Sequence, residues 1–186
     1  MTALAVMRAS LRPQHDSIER ALDLMSGGVD LPRYVRFIER SYGFIAACER
    51  RLDLSRAPAP LRAEQRLKTP LLRTNLMALG NNAASIDRLP MCEQLPSVSE
   101  WPHALGYFYV IEGSTLGGQL LSRRLRDRLG VDDRGLAFLS AYGSNTGTMW
   151  KQMLSVLESA MADEGAATVI TASARDTFTL LQRWHE

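Results

Sequence analysis

The chain has 186 residues, of which 46% are hydrophobic and 23% are charged, a composition typical of one globular domain with a sizeable core. Its net charge of only +2 argues against nucleic-acid binding through a broad basic surface. No apolar run is long enough to span a membrane, and the apolar start of the chain is too short for a secretion signal. The two cysteines are far apart and lie in no metal motif, so the sequence predicts a single cytoplasmic domain over residues 1–186.

Helical periodicity dominates the first third of the chain. Apolar residues recur every three or four positions from Leu4 to Met25, and the residues Ser26–Gly28 are predicted to end this helix. Asp30, with Pro32 two residues later, predicts the beginning of a second helix. The apolar stripe of this second helix runs from Leu31 to Leu52.

The rest of the chain is also predicted to be helical. Further helical segments follow a proline-containing break at residues 57–60, and they are centred on 71–77, 99–130, 150–161 and 170–184. Short elements are predicted within 83–98 and 136–142. Because few segments alternate with the period of a β-strand, the sequence predicts an all-α, single-domain bundle of six to eight helices.

His15 is unusual because its imidazole lies on the apolar stripe of the first helix. Imidazole is the commonest metal ligand, and a neutral ring facing an apolar cavity suits haem iron. Arg8 and Arg12 share its helix face and would meet carboxylates at the edge of such a ligand. Pro13 must either bend the helix or lie near its beginning. Taken alone, the spacing favours a hydrogen-bonded core histidine and a solvated arginine flank.

The long helix predicted from residue 99 contains Gly113, Gly117 and Gly118. Each glycine inside a helix costs about 1 kcal/mol relative to alanine, so the three together cost roughly 3 kcal/mol. Close packing of a neighbouring helix is one explanation. The other is a flat ligand, such as a porphyrin, lying against bare backbone. The ligand explanation is favoured by aromatic residues before the glycines and hydroxyl residues between them, namely Tyr107, Phe108, Tyr109, Ser114 and Thr115.

Three segments together resemble the haem oxygenase family, in the same order and over nearly the whole chain. Leu11–Glu19, LRPQHDSIE, resembles its proximal helix, and Tyr109–Gly118, YVIEGSTLGG, resembles its distal helix. Trp150–Gln152 is similar to an aromatic-Lys-Gln motif that places a lysine on a haem propionate. The distal motif is most similar to that of the bacterial branch that supplies biliverdin to phytochromes.

The resemblance implies that haem, as cofactor and substrate, lies between the proximal and distal helices. It also implies oxidative cleavage of haem to biliverdin, carbon monoxide and ferrous iron, with O2 and donated electrons. The implied site comprises His15 as the iron ligand through Nε2, Gly113, Ser114 and Gly117 as catalytic positions, and Arg8, Arg12, Glu19, Tyr109, Gly118 and Lys151 as haem-binding positions.

Two departures from the family pattern leave alternatives open. Ser114 stands where the animal enzymes have an aspartate that organises the distal water chain, and Ser155 replaces a second basic propionate contact. A non-catalytic haem-binding or storage protein on the same scaffold is therefore one alternative. A thiaminase-like helical enzyme, with Cys48 and Glu112 as cavity residues, is another, and a purely structural bundle is a third.

The resemblance also implies an electron donor that docks near the haem edge. The arginines between Arg123 and Arg128 are a candidate platform for an acidic ferredoxin or flavodoxin system. A solvated helix end, favourable to the helix macrodipole, explains these arginines equally well. A phytochrome that receives biliverdin would be a second partner.

Overall fold

The computed structural model describes residues 2–25 and 27–186, so Met1 and Ser26 lie outside the description. Within the described residues the long regular elements are helices, and short 3₁₀ turns lie in some of the connections. Eight α-helices lie within these described residues: α1 (Ala3–Leu22), α2 (Leu31–Glu49), α3 (Thr69–Ala78), α4 (Ala83–Asp87), α5 (Trp101–Leu129), α6 (Ala137–Ser140), α7 (Thr146–Ala160) and α8 (Glu164–His185). The prediction of an all-α bundle is confirmed.

The first helix begins and ends earlier than its apolar stripe suggests. Its N-cap is Thr2, and the helix continues through Pro13, so it does not begin near that proline. It ends at Leu22, because Asp23 adopts a left-handed conformation with φ of 44°. Met25 therefore lies beyond the helix and is 47% exposed, which makes its predicted place on the stripe wrong. Ser26, which was predicted to help end this helix, lies outside the described residues.

Two predicted helix ends are confirmed by their capping contacts. The Asp30 carboxylate accepts a hydrogen bond of 2.9 Å from the Arg33 backbone N–H, which satisfies a free donor at the beginning of α2. At the C-terminal end of α5, Gly130 has φ of 64° and its N–H donates to the Arg126 carbonyl at 3.0 Å. Glycine suits this left-handed position, so α5 ends there.

Helix α8 lies against both α5 and α1, while α1 and α5 pack mainly against α8 rather than against each other. Gly106 makes the close approach of α5 and α8 feasible. A Cβ at this position would lie 2.6 Å from the Ile170 carbonyl oxygen and 2.7 Å from the Ala174 nitrogen. Helix α8 thereby holds α1, which carries His15, and α5, which carries the glycines, in one framework.

Helix α5 is the longest, at 29 residues, and it is not uniformly apolar. It contains the acidic residue Glu112 in its middle and four arginines in its last third. Across the described part of the chain, no helix combines the length and the apolar character needed to cross a membrane.

Candidate functional site

His15 lies at the edge of the apolar stripe of α1, with 52% of its side chain exposed. Its neighbours Leu11 and Ile18 are buried, so the boundary of the core passes between them and the imidazole. One side of the ring packs edge-on against Phe178 of α8, with ring centroids 6.1 Å apart. The alternative of a buried core histidine is therefore wrong, and the imidazole is accessible to a ligand.

Two carboxylates of α1 lie beside one nitrogen of this imidazole. Asp16 Oδ1 and Glu19 Oε2 are each 3.7 Å from His15 Nδ1. This separation is longer than a direct hydrogen bond, but the two negative charges favour a proton on Nδ1 and leave the Nε2 lone pair available as a ligand. Glu19 was predicted in this supporting role from the family resemblance. Asp16 was missed, because adjacent helical residues rarely face each other.

The two predicted arginines of α1 have different surroundings. Arg12 Nε donates to both carboxylate oxygens of Asp16, at 2.9 and 3.1 Å, so its guanidinium is tied to its own helix. Arg8 is exposed and lies near Tyr109 of α5. Burial raises the pKa of Tyr109, and the positive charge of Arg8 opposes that shift. Arg8 and Tyr109 thus border the same region between α1 and α5.

The three neighbouring glycines of α5 have different environments. A Cβ at Gly117 would meet no atom within 4 Å, and one at Gly113 would meet only the Trp150 ring, at 3.5 Å. A Cβ at Gly118 would lie 2.6 Å from the carbonyl oxygen of Leu139 in α6. Close helix packing therefore explains Gly118, whereas Gly117 leaves the helix surface bare and Gly113 borders on the Trp150 ring without a close contact.

This bare surface, called here the glycine face, comprises Gly113, Ser114, Gly117 and the nearby leucines of α5. Gly113, Gly117 and Leu120 follow one another at spacings of four and three, which places them on one side of the helix. Leu116 and Leu120 are 44% and 48% exposed. Large exposed apolar side chains next to bare backbone are typical of a surface that binds an apolar ligand.

Ser114 is exposed at the edge of the glycine face, and its hydroxyl donates to the Ile111 carbonyl at 2.8 Å. The next residue, Thr115, makes the same kind of bond to the Glu112 carbonyl at 2.6 Å. Because the Ser114 proton is used inside the helix, its oxygen faces outward as an acceptor. Such side-chain bonds to the preceding turn also favour bending of a helix.

Aromatic residues from two helices border the glycine face. Tyr109 of α5 and Trp150 of α7 have ring centroids 5.7 Å apart, and the Trp150 ring is the neighbour of Gly113. Lys151, the next residue of α7, is exposed. The sequence predicted Tyr109 and Lys151 as site residues but did not predict that Trp150 would contact the glycine region.

These residues fit a haem in their chemistry. The imidazole offers an Nε2 lone pair, the glycine face offers apolar leucine side chains beside two positions that lack a Cβ, and the exposed Arg8 and Lys151 offer positive charges for two propionates. The space above Gly117 is open rather than enclosed. Two shallow grooves elsewhere, one along residues 54–65 and one between α1 and α8, do not include the glycine face.

Comparison with known proteins agrees with this geometry. The family model described as Heme oxygenase matches residues 2–186. The chain belongs to the haem oxygenase family. A curated protein named Heme oxygenase, from Xanthomonas campestris pv. campestris (strain 8004), is 28% identical over 159 residues, which cover 83% of this chain and 90% of that protein. Membership of the family supports haem as the substrate and haem degradation as the general activity.

The thiaminase-like alternative to haem oxygenase is wrong. Cys48 is fully buried, and its burial raises the pKa of the thiol, so it is not a reactive nucleophile. The Glu112 carboxylate is also buried, where it is paired with Arg66 and Lys68. Neither group is available to a substrate, and the haem oxygenase family match covers both positions.

The candidate platform for an electron donor is smaller than the sequence suggests. Arg126 forms an ion pair with Asp133, and Arg128 Nε donates to the Val29 carbonyl at 2.6 Å. These two arginines therefore contribute to the structure of the helix end. Arg123 and Arg124 are exposed and remain as the candidate contact residues.

Proposed function

We propose that this chain is a haem oxygenase that cleaves haem to biliverdin, carbon monoxide and ferrous iron, with O2 and electrons from a donor protein. One observation carries the proposal. An accessible imidazole on α1 and a bare, apolar glycine face on α5 are held in one framework by α8. Together with the family match, these two features support a haem site rather than a purely structural bundle.

On the proximal side, His15 Nε2 would bind the iron. Asp16 and Glu19 would hold the proton on Nδ1 and orient the ring, which is the usual role of carboxylates behind a metal-binding histidine. The contact with Phe178 limits rotation of the imidazole. When bound, haem supplies the redox-active iron and the ring that is opened.

On the distal side, Gly113 and Gly117 would let the ring and O2 approach the backbone of α5, since a Cβ at either position would occupy that space. Ser114 would accept a hydrogen bond from a water molecule and help to position it. It adds no acidic group, so protons would reach the site through water. Gly118 contributes by the packing of α5 on α6 rather than by direct contact.

At the edge of the ring, Arg8 and Lys151 would bind the propionates, together with the guanidinium N–H groups of Arg12 that Asp16 does not occupy. Tyr109 would line the same region, where it lies near both Arg8 and the Trp150 ring. These contacts would determine how the haem is seated and hence which carbon of the ring is attacked.

The proposed partners follow from the same surface. Arg123 and Arg124 would attract an acidic ferredoxin or flavodoxin, because exposed positive charges speed the association of oppositely charged proteins. A phytochrome is the proposed recipient of biliverdin, on the strength of the distal motif alone.

A non-catalytic haem-binding protein is the second candidate. The Ser114 hydroxyl donates to Ile111, and no acidic side chain stands in its place on the glycine face to supply a proton. This candidate has the same predicted haem contacts but no ring opening.

A hemin titration of the purified protein tests both candidates. A haem oxygenase should give a shifted Soret band and, after addition of ascorbate or a ferredoxin reductase system, a biliverdin band. A stable haem complex without turnover would support the non-catalytic candidate. No change in the Soret band would refute both.

The variant His15→Ala tests the ligand assignment. It should lose the iron–imidazole spectrum and most turnover, and added imidazole should restore part of both. His103→Ala is the matched control, since residue 103 is about 15 Å along α5 from Gly113. Unchanged turnover in His15→Ala would refute the assignment.

A further inference from the structure

Helix α5 carries a buried carboxylate directly before the first glycine of the glycine face. Glu112 accepts hydrogen bonds from Arg66 and Lys68, and all three side chains are fully buried. The Tyr142 hydroxyl also donates to Glu112 Oε1 at 2.7 Å, and Lys68 Nζ lies 2.7 Å from that hydroxyl. These four residues are called here the Glu112 cluster.

The Glu112 cluster joins three separate segments of the chain. Arg66 donates through Nε to the Leu61 carbonyl at 2.6 Å and through Nη2 to the Met149 carbonyl of α7 at 3.2 Å. Lys68 Nζ donates to the Arg66 carbonyl at 2.6 Å. The segment before α3 is thus tied to α5 and to α7 at the same time.

Both tied positions lie next to residues of the proposed site. Glu112 directly precedes Gly113, and Met149 directly precedes Trp150. The Trp150 ring is the atom group nearest to Gly113, 3.5 Å from where its Cβ would be. Arg66, which contacts both Glu112 and Met149, therefore links the segment of α5 next to Gly113 to the segment of α7 next to Trp150.

Stability alone does not account for this cluster. Buried ion pairs lose the hydration of both partners, and well-packed apolar residues of similar volume stabilise a fold about as well. Apolar residues would restrict the spacing of α5 and α7 less narrowly, because hydrophobic contacts have no preferred direction. Hydrogen-bonded charges do fix such a spacing.

We propose that Glu112 is a positioning residue, which holds the backbone at Gly113 and the Trp150 ring at the spacing that the distal side of the haem site requires. The effect on ring opening rests on the proposed function. The effect on the geometry of the ligand-free protein does not, so the two can be tested separately.

The first test uses the ligand-free protein. In Glu112→Gln, the NMR resonance of the Trp150 indole N–H should shift. The amide hydrogen of Gly113 should exchange with solvent about ten times faster than in the wild type, as expected when local opening becomes easier. Glu49→Gln is the matched control. Glu49 is a second, half-buried carboxylate near Lys68, and it accepts from the Lys68 and Thr69 backbone N–H groups at 2.7 and 3.0 Å. Glu49→Gln removes the same charge but leaves the hydrogen bonds of Glu112 with Arg66, Lys68 and Tyr142 in place, so both Trp150 and Gly113 should keep their wild-type signals.

The second test uses the double variant Lys68→Met/Glu112→Gln. It restores the net charge of the Glu112 cluster but not the hydrogen bonds that join α5 to the segment before α3. Its thermal stability should recover relative to Glu112→Gln, while the Trp150 and Gly113 signals should stay displaced. Recovery of these signals together with stability would overturn the proposal. So would equal displacement in Glu49→Gln, because the cluster would then act only through overall stability.

The third test uses the haem-loaded protein. Glu112→Gln should bind hemin within a few-fold of the wild type but open it about a hundredfold more slowly, as expected for misplacement of about 1 Å. A rate equal to that of the wild type would overturn the proposal. Absence of ring opening in the wild type itself would refute the proposed function and leave the first two tests to decide on positioning.

Discussion

Replacement of Gly117 by alanine separates the stability of α5 from its use as a bare surface. The new methyl group would meet no atom within 4 Å, and Gly117 has no left-handed backbone angle, so the substitution introduces no strain. Alanine is about 1 kcal/mol more favourable than glycine inside a helix. The free energy of unfolding of the ligand-free protein should therefore rise by about 1 kcal/mol. For a chain of this size the melting temperature should rise by roughly 2–4 °C.

The same methyl group should impair haem binding. It would occupy the space that the proposed function gives to the ring, and an overpacked contact costs about 1–3 kcal/mol. The affinity for hemin, measured from the Soret band, should fall by roughly ten- to a hundredfold. The rate of biliverdin formation at low hemin concentration should fall at least as much.

Gly118→Ala is the control, because its Cβ would lie 2.6 Å from the Leu139 carbonyl oxygen. The clash should outweigh the gain in helix propensity, so this variant should be less stable than the wild type, while its folded fraction still binds hemin. A Gly117→Ala protein that is more stable and binds and opens hemin like the wild type would refute the assignment of the glycine face.

Three further predictions concern single contacts. Ser114→Ala should leave stability nearly unchanged but alter the pH dependence of ring opening; identical profiles would make Ser114 a bystander. Arg123→Glu with Arg124→Glu should slow turnover driven by an acidic ferredoxin and remove its salt dependence, but not turnover driven by ascorbate. Burial lowers the pKa of His185 from 6.5 to about 4, so the unfolded chain takes up this proton first as the pH falls. Stability should therefore decline from pH 6.5 towards 4, and less steeply in His185→Gln, as measured by urea unfolding; equal slopes would contradict this.

The helix ends were predictable because their signals are local. Asp30 accepts from a backbone N–H three residues away, and Gly130 adopts a conformation that glycine alone reaches without cost. The end of α1 was predicted too late, because the apolar spacing continues to Met25 although Asp23 already leaves the helix. An apolar pattern indicates a face, but a backbone angle decides where the helix stops.

The environment of each site residue depended on tertiary contacts that no local pattern contains. Gly117 and Gly118 are adjacent in sequence, yet one faces open space and the other faces α6. The partners of Glu112 are 46 and 44 residues away, at Arg66 and Lys68, so its pairing has no short-range signature. Motif resemblance could therefore identify the site segments but could not separate packing glycines from bare ones.

The contrast between the two sides of α5 explains how the helix tolerates its glycines. On the packed side, Gly106 allows contact with α8, Gly118 allows contact with α6, and Glu112 is held by two buried cations. The helix packing at Gly106 and Gly118 stabilises α5 independently of the glycine face, so it offsets the roughly 3 kcal/mol that the three central glycines cost. The bare side is then free of any structural requirement for side chains. We therefore expect α5 to remain helical before haem binds, so that the ligand meets a surface that is already formed.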